Sequence, residues 1–139
     1  MQLISDGKPL YLASEGGKTF RLIEDWKFKH DRFQDVILVV PEGYKSDLAS
    51  IPSWIFWWQW GKWNIAAIAH DYIYEHGNIL IFDADDYAQG LINCDALRFT
   101  KQEADLFFYE LLRFLGVRSI TAKLMYLAVR FFGRGCWEK

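Results

Sequence analysis

The sequence predicts an α+β fold: a small antiparallel β-sheet from residues 1–50, packed on a C-terminal bundle of three to four helices over residues 52–135. Three observations carry that expectation. The hydrophobic pattern is strand-like before Pro52 and takes a helical period after it. Val36-Ile37-Leu38-Val39-Val40 is an unbroken branched apolar run, the signature of a strand buried on both faces. Thr100-Lys101-Gln102-Glu103 is a capping box, with Thr as N-cap and Glu three residues on. With no internal repeat and no low-complexity linker, residues 1–139 read as one domain.

In chain order, Pro9–Leu12 and Thr19–Ile23 are β-rich, and Ser14–Lys18 between them has turn chemistry. The Val36–Val40 strand is turned by Pro41-Glu42-Gly43, and Tyr44–Ser46 resumes pairing. Lys62 to about His76 is a helix with Trp63, Ala66, Ala67, His70 and Tyr74 on one stripe, closed by Gly77-Asn78. Ile79–Arg98 is mixed and loop-like, with one short helix around Asp85–Leu91. The capping box starts a helix that buries Ala104, Phe107, Phe108, Leu111, Leu112 and Leu115 and ends at Gly116. A last helix from Ser119 to Phe132 buries Ile120, Leu124, Leu127, Ala128 and Phe131.

Composition narrows the function classes. The 139 residues are 52% hydrophobic with a net charge of −2, which argues against disorder and gives no basic footprint for nucleic acid. No uncharged apolar run reaches the ~18 residues that span a bilayer, and the first residues lack a signal peptide's basic and apolar regions. Cys94 and Cys136 are too few for a disulfide scaffold or a zinc ribbon and read as reduced thiols. The unusual feature is aromatic: five of the seven Trp lie between Trp54 and Trp63. Some of these fill the interior. Trp54, Trp57, Trp58 and Trp60 are candidates for docking on a protein partner or a membrane interface.

Chemistry concentrates in a few residues. His70 lies on an apolar helical stripe, so its ring is buried and needs polar partners. Asp105, at the edge of the next buried face, is the candidate partner, because an unpaired carboxylate there is costly. Antiparallel packing of the two helices brings them together. Asp105 then orients the ring and His70 deprotonates a water, or the pair bridges two helices and does no chemistry. Asp47 and Asp71 are candidate oxygen ligands for a hard cation such as calcium; alternatively Asp47 or Ser50 caps the turn at Pro52. Asp83, Asp85 and Asp86 lack the pattern of a calcium loop and read as solvated. His30 and His76 read as exposed.

Four segments together carry a resemblance: Val40–Tyr44 running into Ser46-Asp47-Leu48-Ala49-Ser50-Ile51-Pro52, His70-Asp71-Tyr72-Ile73-Tyr74, Glu103–Phe108, and Leu124–Arg130. The combination is similar to a family of small proteins of unknown function encoded by tailed bacteriophages and prophages, over about residues 36–135. That resemblance implies a phage origin, with synthesis in a host bacterial cytoplasm, and brings no settled activity; incorporation in the virion or tail is a separate expectation. More locally, His70, Asp71 and Tyr74, with Ala104, Asp105 and Phe108, resemble the catalytic helix pair of secretory and viral sn-2 phospholipases. This implies that His70 activates water, Asp105 orients it, Tyr74 belongs to the catalytic set and Asp71 ligates calcium. In place of those enzymes' glycine-rich calcium loop stand Asp47–Pro52 and the Trp run, and their disulfides are absent. Two functions follow as expectations. One is a phage accessory protein with a metal-assisted His/Asp ester hydrolase site. The other is a structural or adaptor protein whose Trp cluster docks on phage structural proteins.

Overall fold

In the computed structural model, residues 2–3, 11–13, 20–30, 33, 35–46, 64–83, 85, 89–90 and 94–132 are described. The architecture is α+β: antiparallel strands, chiefly N-terminal, with three helices packed together. The chain divides into two compact units, one of residues 1–45 and 78–98, the other of residues 46–77 and 99–139.

The strand unit is built on a five-stranded antiparallel sheet in the order β1-β4-β5-β7-β8. Its strands are β1 (Gln2–Leu3), β4 (Trp26–Lys29), β5 (Val36–Val40), β7 (Asn78–Asp83) and β8 (Cys94–Arg98). The short strands β2 (Tyr11–Ala13), β3 (Phe20–Leu22) and β6 (Lys45–Ser46) form a second sheet in the order β2-β3-β6. The apolar run of β5 is central, as its sequence implies: Ile37 to Val40 are all buried, with Leu38 opposite Phe28 on one side and Ile81 on the other. The Pro41–Gly43 turn is present, with Tyr44 N–H donating to the Pro41 carbonyl and Gly43 in the left-handed region at φ 85°.

Two expectations are corrected here. The segment 79–98 is not mainly loop: β7 and β8 pair from Asn78↔Arg98 to Phe82↔Cys94 and extend the sheet. Around Asp85 the described chain turns helically, with Gln89 N–H donating to the Asp85 carbonyl at 3.2 Å. The other concerns His30, which follows the strand Trp26-Lys27-Phe28-Lys29, where Trp26 and Phe28 are buried with their rings 4.4 Å apart. His30, at its end, is buried rather than exposed and lies against the Phe33 ring at 5.5 Å. Turn residues 14–18 lie outside the described residues.

The helical unit contains α1 (Asn64–His76), α2 (Lys101–Phe114) and α3 (Ser119–Phe132). Helix α1 is not one-sided: every residue from Ala66 to Tyr74 is buried, Ile65 is partly exposed, and Glu75 and His76 are open to solvent. A helix apolar all round is a core helix. It ends as the sequence implies, with Gly77 at φ 72° and its N–H on the Ile73 carbonyl. Helix α2 opens with the full capping box: Glu103 N–H donates to Thr100 Oγ1, and Thr100 N–H donates to Glu103 Oε2. Its end is a Schellman turn, Val117 N–H to the Leu112 carbonyl and Gly116 N–H to the Arg113 carbonyl, which reverses the chain into α3.

Helix α3 is rotated from the expected orientation. Among its described side chains Thr121, Ala122, Met125, Ala128 and Val129 are buried, whereas Ile120, Leu124, Leu127 and Phe131 are 76%, 42%, 47% and 68% exposed. Small side chains allow close approach between helix axes, so the stripe with less apolar bulk forms the packed face. Among the described residues no helix is long and apolar enough to cross a membrane.

Candidate functional site

One carboxylate organises the helical unit. Asp105, in the first half of α2, is fully buried and held by four side chains. His70 Nε2 lies 2.9 Å from its Oδ1, and the Tyr74 hydroxyl donates to the same oxygen. Lys101 Nζ donates to Oδ2 at 2.9 Å and Arg130 Nη1 at 3.1 Å. Local rules place each donor. His70 and Tyr74 are one turn apart on α1, and Lys101 is one turn before Asp105 on α2. Antiparallel hairpin packing brings in Arg130, with Tyr109 and Tyr126 edge to face at 6.0 Å marking the same register. The α1–α2 contacts also run in opposite chain order, His70 on Phe108 and Tyr74 beneath Lys101.

Lys101 has a second task. Its ammonium donates to the Val129 and Arg130 carbonyls at 3.2 and 3.4 Å, within the last turn of α3. Those carbonyls lie at the negative end of the helix dipole, where a cation is favourable. One lysine thus ties α2, α3 and the carboxylate together.

Protonation states follow. Burial pushes the Asp105 carboxyl upward, but the bonds from His70, Tyr74 and Lys101 outweigh it and hold the group at about 2. For His70 burial dominates and lowers the pKa from 6.5, against the opposing pull of Asp105 and Asp71. At neutral pH the pair is therefore a carboxylate and a neutral imidazole. Nε2 carries the proton towards Asp105.

A linkage effect follows from the lowered value. Below 6.5 the unfolded chain takes up a proton at His70 that the folded chain resists. Stability at this group is therefore complete above that pH and falls on acidification. Urea midpoints taken at about pH 7 and about pH 5 should differ less in His70→Gln than in the wild type. Equal differences would show that His70 does not contribute.

The three expected catalytic residues, His70, Tyr74 and Asp105, come together in one cluster. Asp71 does not join it: its Oδ2 accepts a 2.8 Å hydrogen bond from Ser46 Oγ, in a pair that is itself buried. Asp47 and Ser50 lie outside the described residues, as do Trp54, Trp57, Trp58, Trp60 and Trp63. Among the described residues no three His, Cys, Asp or Glu side chains converge to hold a metal ion. Of the two expected calcium ligands, Asp71 offers one carboxylate that accepts from a hydroxyl, and Asp47 lies outside the described residues. Asp83 and Asp85 are exposed, and Asp83 caps its own turn through Asp85 N–H at 2.9 Å. His76 is exposed, with Nδ1 3.0 Å from the Tyr72 carbonyl.

Sequence reasoning missed Lys101 and Arg130. The i,i+4 spacing of Lys101 and Asp105 is a local signal for the first. No local signal exists for Arg130, which reaches Asp105 only through the hairpin.

The fold and the cluster thus define an α+β protein with a buried His–Asp–Tyr constellation clamped by two cations. The chain belongs to the family described as protein of unknown function (DUF1353), whose match covers residues 20–129. No curated protein and no solved structure was found to match it.

Proposed function

We propose that this chain is a phage- or prophage-encoded accessory protein whose helical unit carries a His70–Asp105–Tyr74 site for ester hydrolysis. The observation that carries the chemistry is the His70 Nε2 to Asp105 Oδ1 bond at 2.9 Å, with the Tyr74 hydroxyl on the same oxygen. These are the residues that the resemblance to sn-2 phospholipases pairs. The four-segment resemblance to proteins of tailed bacteriophages supports the phage part, and a place in the virion or tail is proposed alongside it.

In this reading the His70 imidazole takes a proton from water as the hydroxide oxygen adds to the ester carbonyl carbon, a step that requires the buried ring to be uncovered. The tetrahedral adduct collapses, the carbon–oxygen bond to the alcohol breaks, and the alkoxide recovers the proton from the imidazolium. Acid and alcohol leave, and His70 returns neutral. Asp105 keeps the ring in one tautomer, and Tyr74 keeps Asp105 in place.

A second reading rests on a different observation. Lys101 and Arg130 both bond Oδ2, so two cations surround one anion beside a buried ring. Adding an imidazolium there opposes its charge to theirs, and a structural hub needs no such step. In that case the same residues fasten three helices, and the chain is a phage structural or adaptor protein.

Purified full-length chain should cleave short-chain phospholipid or p-nitrophenyl esters, and both His70→Ala and His70→Gln should abolish turnover. Glutamine retains a donor for Asp105, so a purely structural His70 would be rescued by it. No cleavage by the wild type, or full activity in His70→Gln, would overturn the hydrolase reading. Mass spectrometry of purified particles tests the other part, since absence from virions removes a virion role.

A further inference from the structure

The outward edge of α3 is apolar at a regular spacing. Ile120, Leu124, Leu127 and Phe131 follow one another at four, three and four residues, and all are exposed. At 1.5 Å per residue the stripe runs about 16 Å along the helix. A groove of about 310 Å³ between α2 and α3 shares Leu127 with it and is lined further by Leu106, Tyr109, Lys123 and Tyr126. Contiguous apolar side chains on this scale mark a contact surface.

Charge indicates what kind of surface is met. From Leu111 to Trp137 the sequence has no Asp or Glu, yet it carries Arg113, Arg118, Lys123, Arg130 and Arg134, in a chain whose net charge is −2. Lys123, exposed, flanks the stripe three residues after Ile120, whereas Arg130 turns to Asp105. Apolar residues in a row, on a helix that carries basic residues and no acid, form the pattern of a helix lying in a membrane interface. Tyr109 and Tyr126, half-exposed at the groove, add rings suited to the headgroup level. A second copy fits less well, because pairing α3 with α3 brings like charges together.

We propose that the outward edge of α3 docks the protein on an anionic lipid bilayer, with Ile120, Leu124, Leu127 and Phe131 entering the interface and Lys123 meeting lipid phosphates. This goes beyond the ester chemistry and is independent of it, since binding requires no turnover at His70. It places the membrane contact on α3 rather than on the Trp run.

The test is flotation of the full-length chain with vesicles of phosphatidylglycerol and phosphatidylcholine, against phosphatidylcholine alone. The chain should float with the anionic vesicles and bind the neutral ones at least about tenfold more weakly. Ile120→Ser with Phe131→Ser should weaken anionic binding about tenfold or more, with an unchanged thermal midpoint because both side chains are exposed. If that pair disturbs folding, Leu127→Gln alone should still lower binding, and Lys123→Gln should reduce the preference for the anionic lipid. Absence of flotation, equal binding to neutral vesicles, or binding untouched by the α3 variants would overturn the proposal. So would a concentration-dependent dimer that the α3 variants dissolve, which would assign the edge to a second copy.

Discussion

Asp105→Ala should lower the unfolding free energy by about 3–5 kcal/mol, the range for breaking a buried ion pair by removing one partner. The effect is large because four donors lose their acceptor at once. His70 and Tyr74 are left within the core, and Lys101 and Arg130 lose the anion between them. Lys101 is 18% exposed and Arg130 31%, so water recovers part of their loss, whereas His70 is fully buried and recovers nothing. Urea unfolding measures it. A loss under about 1 kcal/mol would mean that the cluster is not a structural hub. Acid should act in the same direction. With Asp105 at about 2 in the folded chain against 3.8 unfolded, its stabilisation is complete above about pH 5 and lost as the pH falls towards 2. The shift corresponds to about 2 kcal/mol, and Asp105→Asn should remove that part of the acid sensitivity.

Phe108→Ala should cost about 3–5 kcal/mol. The ring is fully buried and packs against the His70 imidazole with centroids 4.7 Å apart, so truncation leaves a cavity between α1 and α2. Water entering it would also relieve the desolvation that lowers the His70 pKa. The variant should therefore show both a lower urea midpoint and a His70 imidazole titrating at higher pH by NMR. Loss of stability with no movement of that titration would mean that Phe108 does not shield the ring. Phe108→Leu fills much of the volume and should lie between the two.

The pieces legible in the sequence are those set by neighbours along the chain. The capping box, the glycine ends of α1 and α2 and the apolar run of β5 each depend on a few adjacent residues. The His70–Asp105 pair was legible for a related reason: a buried imidazole and a buried carboxylate each need a partner, and helical period puts both on apolar faces. Strands β7 and β8 were not legible, because Asn78–Asp83 and Cys94–Arg98 are short and mixed and become strands by pairing with β5 and each other. Nor was the rotation of α3. Periodicity finds two stripes on that helix, and the more apolar one faces outward.

By itself, then, the sequence determined the class of fold, the helix ends, the central strand and the residue types that must find polar partners in the core. These follow from local backbone chemistry and from the cost of burying unpaired polar groups. Only the tertiary structure decided that Lys101 and Arg130 close on Asp105, that Asp71 turns to Ser46, and that α3 packs with its smaller side chains inward. The reason is distance along the chain. Arg130 and Asp105 are 25 residues apart, and only the antiparallel reversal at Gly116 sets them in contact.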